Sequence, residues 1–341
     1  MPDSRLLPVW ADELRRRYLR GESSIFLLHG NVFDLVLDGD KLRPLTEFLT
    51  DTLLKDSRDT IAVYNLATGV RFPKKAKGVE AQAALLAETE KAKVLSGLER
   101  LLITSSKVGV VLEYAETLAP AGDPSFQADF DRSAIVTLHR WSFLPQIESG
   151  DNVVLLVAEN LSELSPKLVS NPKVAVVEIP MPDRETRKKT ALIADPRLSD
   201  KDADRYAEVT AGLKSVQIAS ILAPPPPSEE DRAEREAFIA ALLGGTPEAN
   251  DRAKKLAALT AGLNRDEIKK LLAPGASEPA PTAESAAERF RREVDRLISK
   301  RKREILEREC FGLVEFVVPE HGFEVVGGMD EVKKDLLVVA E

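Results

Sequence analysis

Two short stretches of this 341-residue chain hold the side chains with the widest chemical reach. The first is VVLEYAETLAP, residues 110–120, an apolar run that ends in acids. A carboxylate at the end of a buried strand can hold the water shell of a magnesium ion, and a second beside it can activate a water. Glu113 is a carboxylate at the end of this run, and Tyr114 beside it has no carboxylate to act as a base. Glu116 lies further on and would need a different backbone path. The second stretch is LLVAEN, residues 155–160. Its Asn160 suits either of two roles: orienting a phosphate or a water, or capping the Leu-Ser-Glu-Leu turn that follows.

The partner such residues need is a phosphate-binding loop, and none is legible. G-x-x-x-x-G-K-[ST] works because glycine backbone N–H groups wrap the phosphates while lysine reaches their oxygens. None of the 18 glycines precedes a lysine. HGNVFDLVLDGDK (29–41) follows the first strand with neither the spacing nor the lysine, and Gly30-Asn31 reads as a tight turn. A dinucleotide-binding G-x-G-x-x-G and a G-x-S-x-G elbow are also missing. His29, His139 and His321 are scattered with no metal spacing, so no metal ligands are assigned, and GDPSFQADFDR (122–132) departs from the calcium-loop pattern.

Composition narrows the classes further. Cys310 is the single cysteine, which rules out an intramolecular disulfide and fits a reducing cytoplasm. The net charge of −8 argues against broad binding to nucleic acid. The basic run SKRKRE (299–304) sits among glutamates and reads as a solvated helix face. The apolar runs are too short to span a membrane, and MPDSRLLPVWADELRRRYLRG has no signal-peptide core. A cytoplasmic location is therefore expected.

The elements that must position these residues follow from periodicity. Trp10, Leu14 and Tyr18 make one stripe of an N-terminal helix over 1–22. Five runs read as continuously buried strands of a parallel sheet: SSIFLLHG (23–30), TIAVYNL (60–66), VGVVLEYA (108–115), NVVLLVAEN (152–160) and KVAVVEIP (173–180). Helices are predicted in LRPLTEFLTDTLLKD, AQAALLAETEKAKVLSGLERLL and DRSAIVTLHRWSFLPQI between them, which makes residues 23–190 an α/β layered domain. Residues 191–274 read as helical, and TAGLKSVQIASILAP (210–224) returns as TAGLNRDEIKKLLAP (260–274), each a glycine turn into a short helix. Residues 275–311 are a linker and a long charged helix, and 312–341 begin something further.

Taken together, these pieces resemble an AAA (AAA+) family ATPase of the tandem-module type with a degenerate first module. VVLEYAE matches the Walker B strand and NVVLLVAEN the sensor-1 strand, with Asn160 at the sensor position. VEIPMPDRETRKKTALI is similar to the exit strand and its helix, and LSDKDADRYAEVTAGLKSVQIASIL to the helical lid. KRKREILERECFGLVEFVVPEHGFEVVGGMDEVKKDL is similar to the linker that enters a second module. The resemblance implies a five-stranded parallel AAA-like core with a helical lid, then a helical insertion and linker.

It also implies ATP and magnesium for the family, yet no cofactor for this chain alone. Val326, Gly327 and Gly328 would wall part of a second module's adenine pocket, while Glu113 and Asn160 stand at degenerate Walker B and sensor-1 positions. The P-loop lysine is missing, and no arginine lies between Leu161 and Lys173 to act on a neighbouring site. The expected role is a non-catalytic AAA module, an assembly, docking or regulatory platform for an ATP-hydrolysing module downstream or in a partner, in a homo- or hetero-oligomer. Two readings compete with it. One is an ATP-hydrolysing enzyme in which the Gly30-Asn31 turn holds phosphates and Glu113 or Glu116 holds magnesium; the other is a clamp-loader-like structural subunit, with nucleic-acid contact disfavoured by charge. The apolar tail DLLVVAE (335–341) is expected to be covered by further sequence or by a partner.

Overall fold

The computed structural model describes residues 7–243 apart from 88–89, 124 and 224–228, together with 253–254, 256–257, 268, 292 and 294–305. The chain divides into two compact units, residues 1–268 and 269–341.

The described residues of the first unit form eight strands: β1 (Ile25–Gly30), β2 (Leu35–Asp38), β3 (Lys41–Pro44), β4 (Thr60–Asn65), β5 (Gly69–Lys74), β6 (Val108–Leu112), β7 (Val153–Val157) and β8 (Val174–Ile179). Six of them form one sheet in the order β5-β4-β6-β7-β1-β8. All five expected strands are present and mutually parallel, with β1 between β7 and β8. The expected five-stranded sheet is in fact six-stranded, because β5 adds an antiparallel edge to β4. Gly69, at a φ of +74°, opens β5 after the Asn65 turn, and Arg71, Pro73 and Lys74 suit only an edge strand, since proline cannot donate to a ladder.

A second correction concerns the segment after β1. Residues 42–44, expected to open a helix, instead complete the β2–β3 hairpin, which turns at Gly39-Asp40 with Gly39 at a φ of +61°. The helix starts only at Leu45, as α2 (Leu45–Phe48), and runs on as a π-helical turn over Leu49–Leu54.

Alternate residues of the strands face opposite layers, as pleating requires. Ile25, Leu27, Ala62, Tyr64, Val110, Leu112, Val154 and Leu156 pack under α3 (Glu80–Ala87), α4 (Lys91–Thr104) and α6 (Asp129–Trp141). Phe26, Leu28, Ile61, Val63, Val111, Leu155 and Val177 pack under α1 (Val9–Leu19) and α2. Trp10 and Phe48 meet there with ring centroids 5.6 Å apart. Burial on both faces is why these strands read as unbroken apolar runs. Fully buried Asn152 ties the two ends of this layer: its Oδ1 accepts from Val108 N at 2.7 Å, and its Nδ2 donates to the Leu102 and Ser105 carbonyls that end α4.

Short helices α5 (Ala115–Leu118), α7 (Pro145–Ser149) and α8 (Pro166–Val169) link the layers. Beyond β8 come α9 (Arg184–Ala194), α10 (Asp200–Val209) and α11 (Ser215–Leu222), then α12 (Glu229–Leu242). Asp183 and Ser199 cap α9 and α10 by accepting the N–H groups of Thr186 and Asp202. Gly212, at a φ of +83°, makes the turn from α10 to α11 in the first copy of the repeat. Apart from Ile268, the second copy lies outside the described residues. In the second unit, 294–305 are helical, with Val294 and Ile298 buried on one face and Arg301 paired with Glu304. No helix among the described residues is long and apolar enough to cross a membrane.

Candidate functional site at the carboxyl edge of the sheet

In an open parallel sheet, ligands bind outside the carboxyl ends of the strands where the strand order reverses. Here that edge is formed by Gly30, Asn65, Glu113, the 158–160 turn and Pro180. At this edge a phosphate would need unpaired N–H groups on the turn after β1.

Most of those donors are taken by the protein. Gly30 N donates to Glu159 O at 3.0 Å, Asn31 N to Ile179 O at 2.9 Å and Val32 N to Gly30 O at 2.8 Å. Leu35 N donates to Asp34 Oδ1 at 2.7 Å. Gly30 sits at a φ of +94°, and a Cβ there would fall 2.8 Å from Ile179 O, so the turn is pressed onto β8 and has no room to open. The hairpin that follows also delays the next helix, so α2 starts at Leu45 rather than directly after β1.

Asp34 is a hub of hydrogen bonds at this edge, and sequence reasoning missed it. It is buried and accepts four hydrogen bonds: from Asn31 Nδ2 at 2.8 Å, from Leu35 N, and from Ser215 N and Val216 N, both at 2.8 Å. The last two are the first N–H groups of α11, which are otherwise left without an intrahelical acceptor.

Glu113, the expected metal-holding carboxylate, is closed in by donors. Its side chain accepts from Thr46 Oγ1 at 2.5 Å, Asn65 Nδ2 at 2.7 Å and Arg71 Nη2 at 3.1 Å, and is only 14% exposed. Asn65 in turn accepts from Ala67 N and Thr68 N, holding the β4–β5 turn. Glu113 thus fastens the ends of β4 and β6 to the edge strand. The sequence identified the acid but carried no sign of its three partners.

Tyr114 adopts a left-handed conformation at a φ of +54°, unusual for a residue with a Cβ. This turns its ring outward to stack on Phe33, with centroids 5.3 Å apart and planes 29° apart. Phe33, Tyr114, Met181 and Val216 are all exposed at this edge, between 41% and 46%.

Asn160 does not cap the next turn with its side chain; its backbone carbonyl accepts from Glu163 N, and its Nδ2 donates to Glu163 Oε1 at 3.2 Å. Glu113 and Asn160 therefore belong to separate networks. Glu116 lies near Glu159 and Glu163, and its carboxyl is pushed up, first by burial and then by those two charges. Glu159 also pairs with Lys214 at 3.8 Å. Among the described residues no three His, Cys, Asp or Glu side chains form a group able to hold a metal ion. Val326, Gly327 and Gly328 lie outside the described residues.

The sheet order, the covered faces and the edge just described define an α/β Rossmann-like domain. Residues 1–180 match the family model described as AAA+ chaperone, N-terminal Rossmann-like domain. That match spans more than half of the chain, and the chain belongs to this AAA+ chaperone family. No curated protein matches it.

Proposed function

We propose that this chain is a non-catalytic AAA+ module, an assembly, docking or regulatory platform for an ATP-hydrolysing module that lies downstream or in a partner subunit. The observation that carries this reading is the turn after β1. Its N–H groups are bonded to Glu159 O, Ile179 O, Gly30 O and the Asp34 carboxylate, where a phosphate would need them free. Magnesium-ATP does not fit the residues around it, since Glu113 already holds three donors and Tyr114 supplies no base. The exposed Phe33–Tyr114 stack, with Met181 and Val216 beside the same edge, supports a docking role, because a solvent-facing aromatic pair is suited to contact with another protein. Homo- or hetero-oligomerisation with an active AAA module is part of the same proposal.

Calorimetry with magnesium-ATP beside a phosphate-release assay on the same sample tests it. Neither binding nor turnover is expected. Magnesium-dependent binding with turnover lost in Glu113→Ala would overturn the proposal in favour of an enzyme with an unconventional site.

A further inference from the structure

The contact between Asp34 and α11 joins residues 181 positions apart in the chain. Helix α11 begins with Ser215 and Val216, whose N–H groups both end on the Asp34 carboxylate, one on each oxygen. The next two, Gln217 N and Ile218 N, donate to the Lys214 carbonyl at 3.0 Å each. Every N–H of the first turn is therefore accounted for, and the terminal pair is held by an anion from another part of the fold. Asn31 Nδ2 and Leu35 N fix that anion from the sheet side. Asn31, Asp34 and Ser215 are all buried, so water competes weakly for these bonds.

We infer that the Asp34 carboxylate is a built-in anionic latch: it takes the seat that an anionic ligand would take between the β1 turn and α11, and holds the α9–α11 unit on the sheet without a ligand. A free anion at such a seat would make the position of these helices depend on its concentration. A covalently attached carboxylate is always present, so the helices keep one arrangement. The inference rests on the reading that no nucleotide binds this edge, and adds what replaces it. Lys214, one residue before α11, ties the same junction to the turn after β7 through Glu159.

The test is hydrogen exchange on the full chain and on Asp34→Ala and Asp34→Asn. Amides of Ser215 and Val216 are compared with Phe26 and Val111 in the sheet. In Asp34→Ala, exchange at the two helix amides should rise roughly ten- to hundredfold, the scale for losing a charged cap, while the sheet amides stay within about threefold. Sodium formate should restore most of the protection, and sodium chloride at equal ionic strength should not, because formate carries the missing carboxylate. Unchanged exchange at Ser215 and Val216, an equal rise throughout the sheet, or no recovery with formate would each overturn the latch. If Asp34→Ala does not fold, Asp34→Asn decides: a rise confined to the two helix amides supports it, and a uniform or absent rise ends it. No nucleotide enters these measurements, so their failure leaves the calorimetric test of the proposed function standing.

Discussion

Glu116 shows how an acid at this edge can count against the fold. Its Oε2 is buried without a hydrogen-bond partner among the described residues, and burial with the charges of Glu163 and Glu159 pushes the carboxyl above its ordinary 4.5. A carboxyl raised in the folded state favours folding most when protonated, so its contribution is full below 4.5 and is lost as pH rises through the raised value. Glu116→Gln should therefore stabilise the chain near neutral pH, by about 0.5 kcal/mol for a partly exposed charge. The advantage should vanish in urea melts run below 4.5. A Gln variant that is less stable at neutral pH would show that Glu116 is held by a cation instead. The sequence made Glu113 and Glu116 visible as acids at a strand end, and their difference was not legible. Thr46, Asn65 and Arg71 reach Glu113 from three separate elements, and Asp34 meets Ser215 only after the chain has completed the sheet. Such pairings depend on topology, which no local spacing encodes.

At the scale of elements, α1 is held to the core by more than its apolar stripe. Trp10, Ala11 and Leu14 are buried, and Arg17 Nη1 donates to Val176 O at 2.8 Å. At its end the Tyr18 hydroxyl donates to Asp151, while Arg58 lies 4.7 Å over the ring and pairs with Asp151 at 3.1 Å. Burial first, and the Asp151 bond second, push the Tyr18 hydroxyl up to about 12 from its ordinary 10.0. The neutral phenol is the form the fold prefers, so its contribution is whole below 10.0 and is lost as pH rises from there through about 12. Tyr18→Phe should cost about 1 kcal/mol near neutral pH, from the lost bond to Asp151. Its stability should also fall less steeply than the parent's between 10.0 and about 12, as read from denaturant melts of both proteins. Equal slopes would remove Tyr18 as the alkaline weak point. Elements of this kind were legible in proportion to their burial. The five parallel strands, covered on both faces, stood out as apolar runs, and α1 as a stripe. Strand β5 was hidden because an edge strand with Arg71, Pro73 and Lys74 carries half the apolar signal. The β2–β3 hairpin did carry a signal, the Gly39-Asp40 turn between Leu37 and Leu42, outweighed by the helical run that starts only three residues after Leu42.

At the scale of the molecule, the reading of a latched, ligand-free edge has a thermodynamic consequence. A ligand that binds only the folded chain at a hundred times its Kd adds about 2.7 kcal/mol to stability. For a unit of this size each kcal/mol moves the melting temperature by about 2–4 °C, so a bound nucleotide would raise it by roughly 5–10 °C. On the proposed reading, millimolar magnesium-ATP is expected to shift the melt by less than about 1 °C, because Gly30 N, Asn31 N, Val32 N and Leu35 N already have acceptors within the protein. Sulfate or phosphate at the same concentration should also leave the wild-type melt unmoved, since Asp34 already occupies the first turn of α11. A partner behaves differently. A protein that covers Phe33 and Tyr114 binds the folded state alone, so its addition should raise the melt and slow exchange at Tyr114, while Phe33→Ser should weaken both effects. A chain that responds to a partner and not to nucleotide is what a platform requires. A melt raised by nucleotide alone would mean that the turn after β1 can release Ile179 and Glu159, and the site would have to be redrawn with those bonds broken.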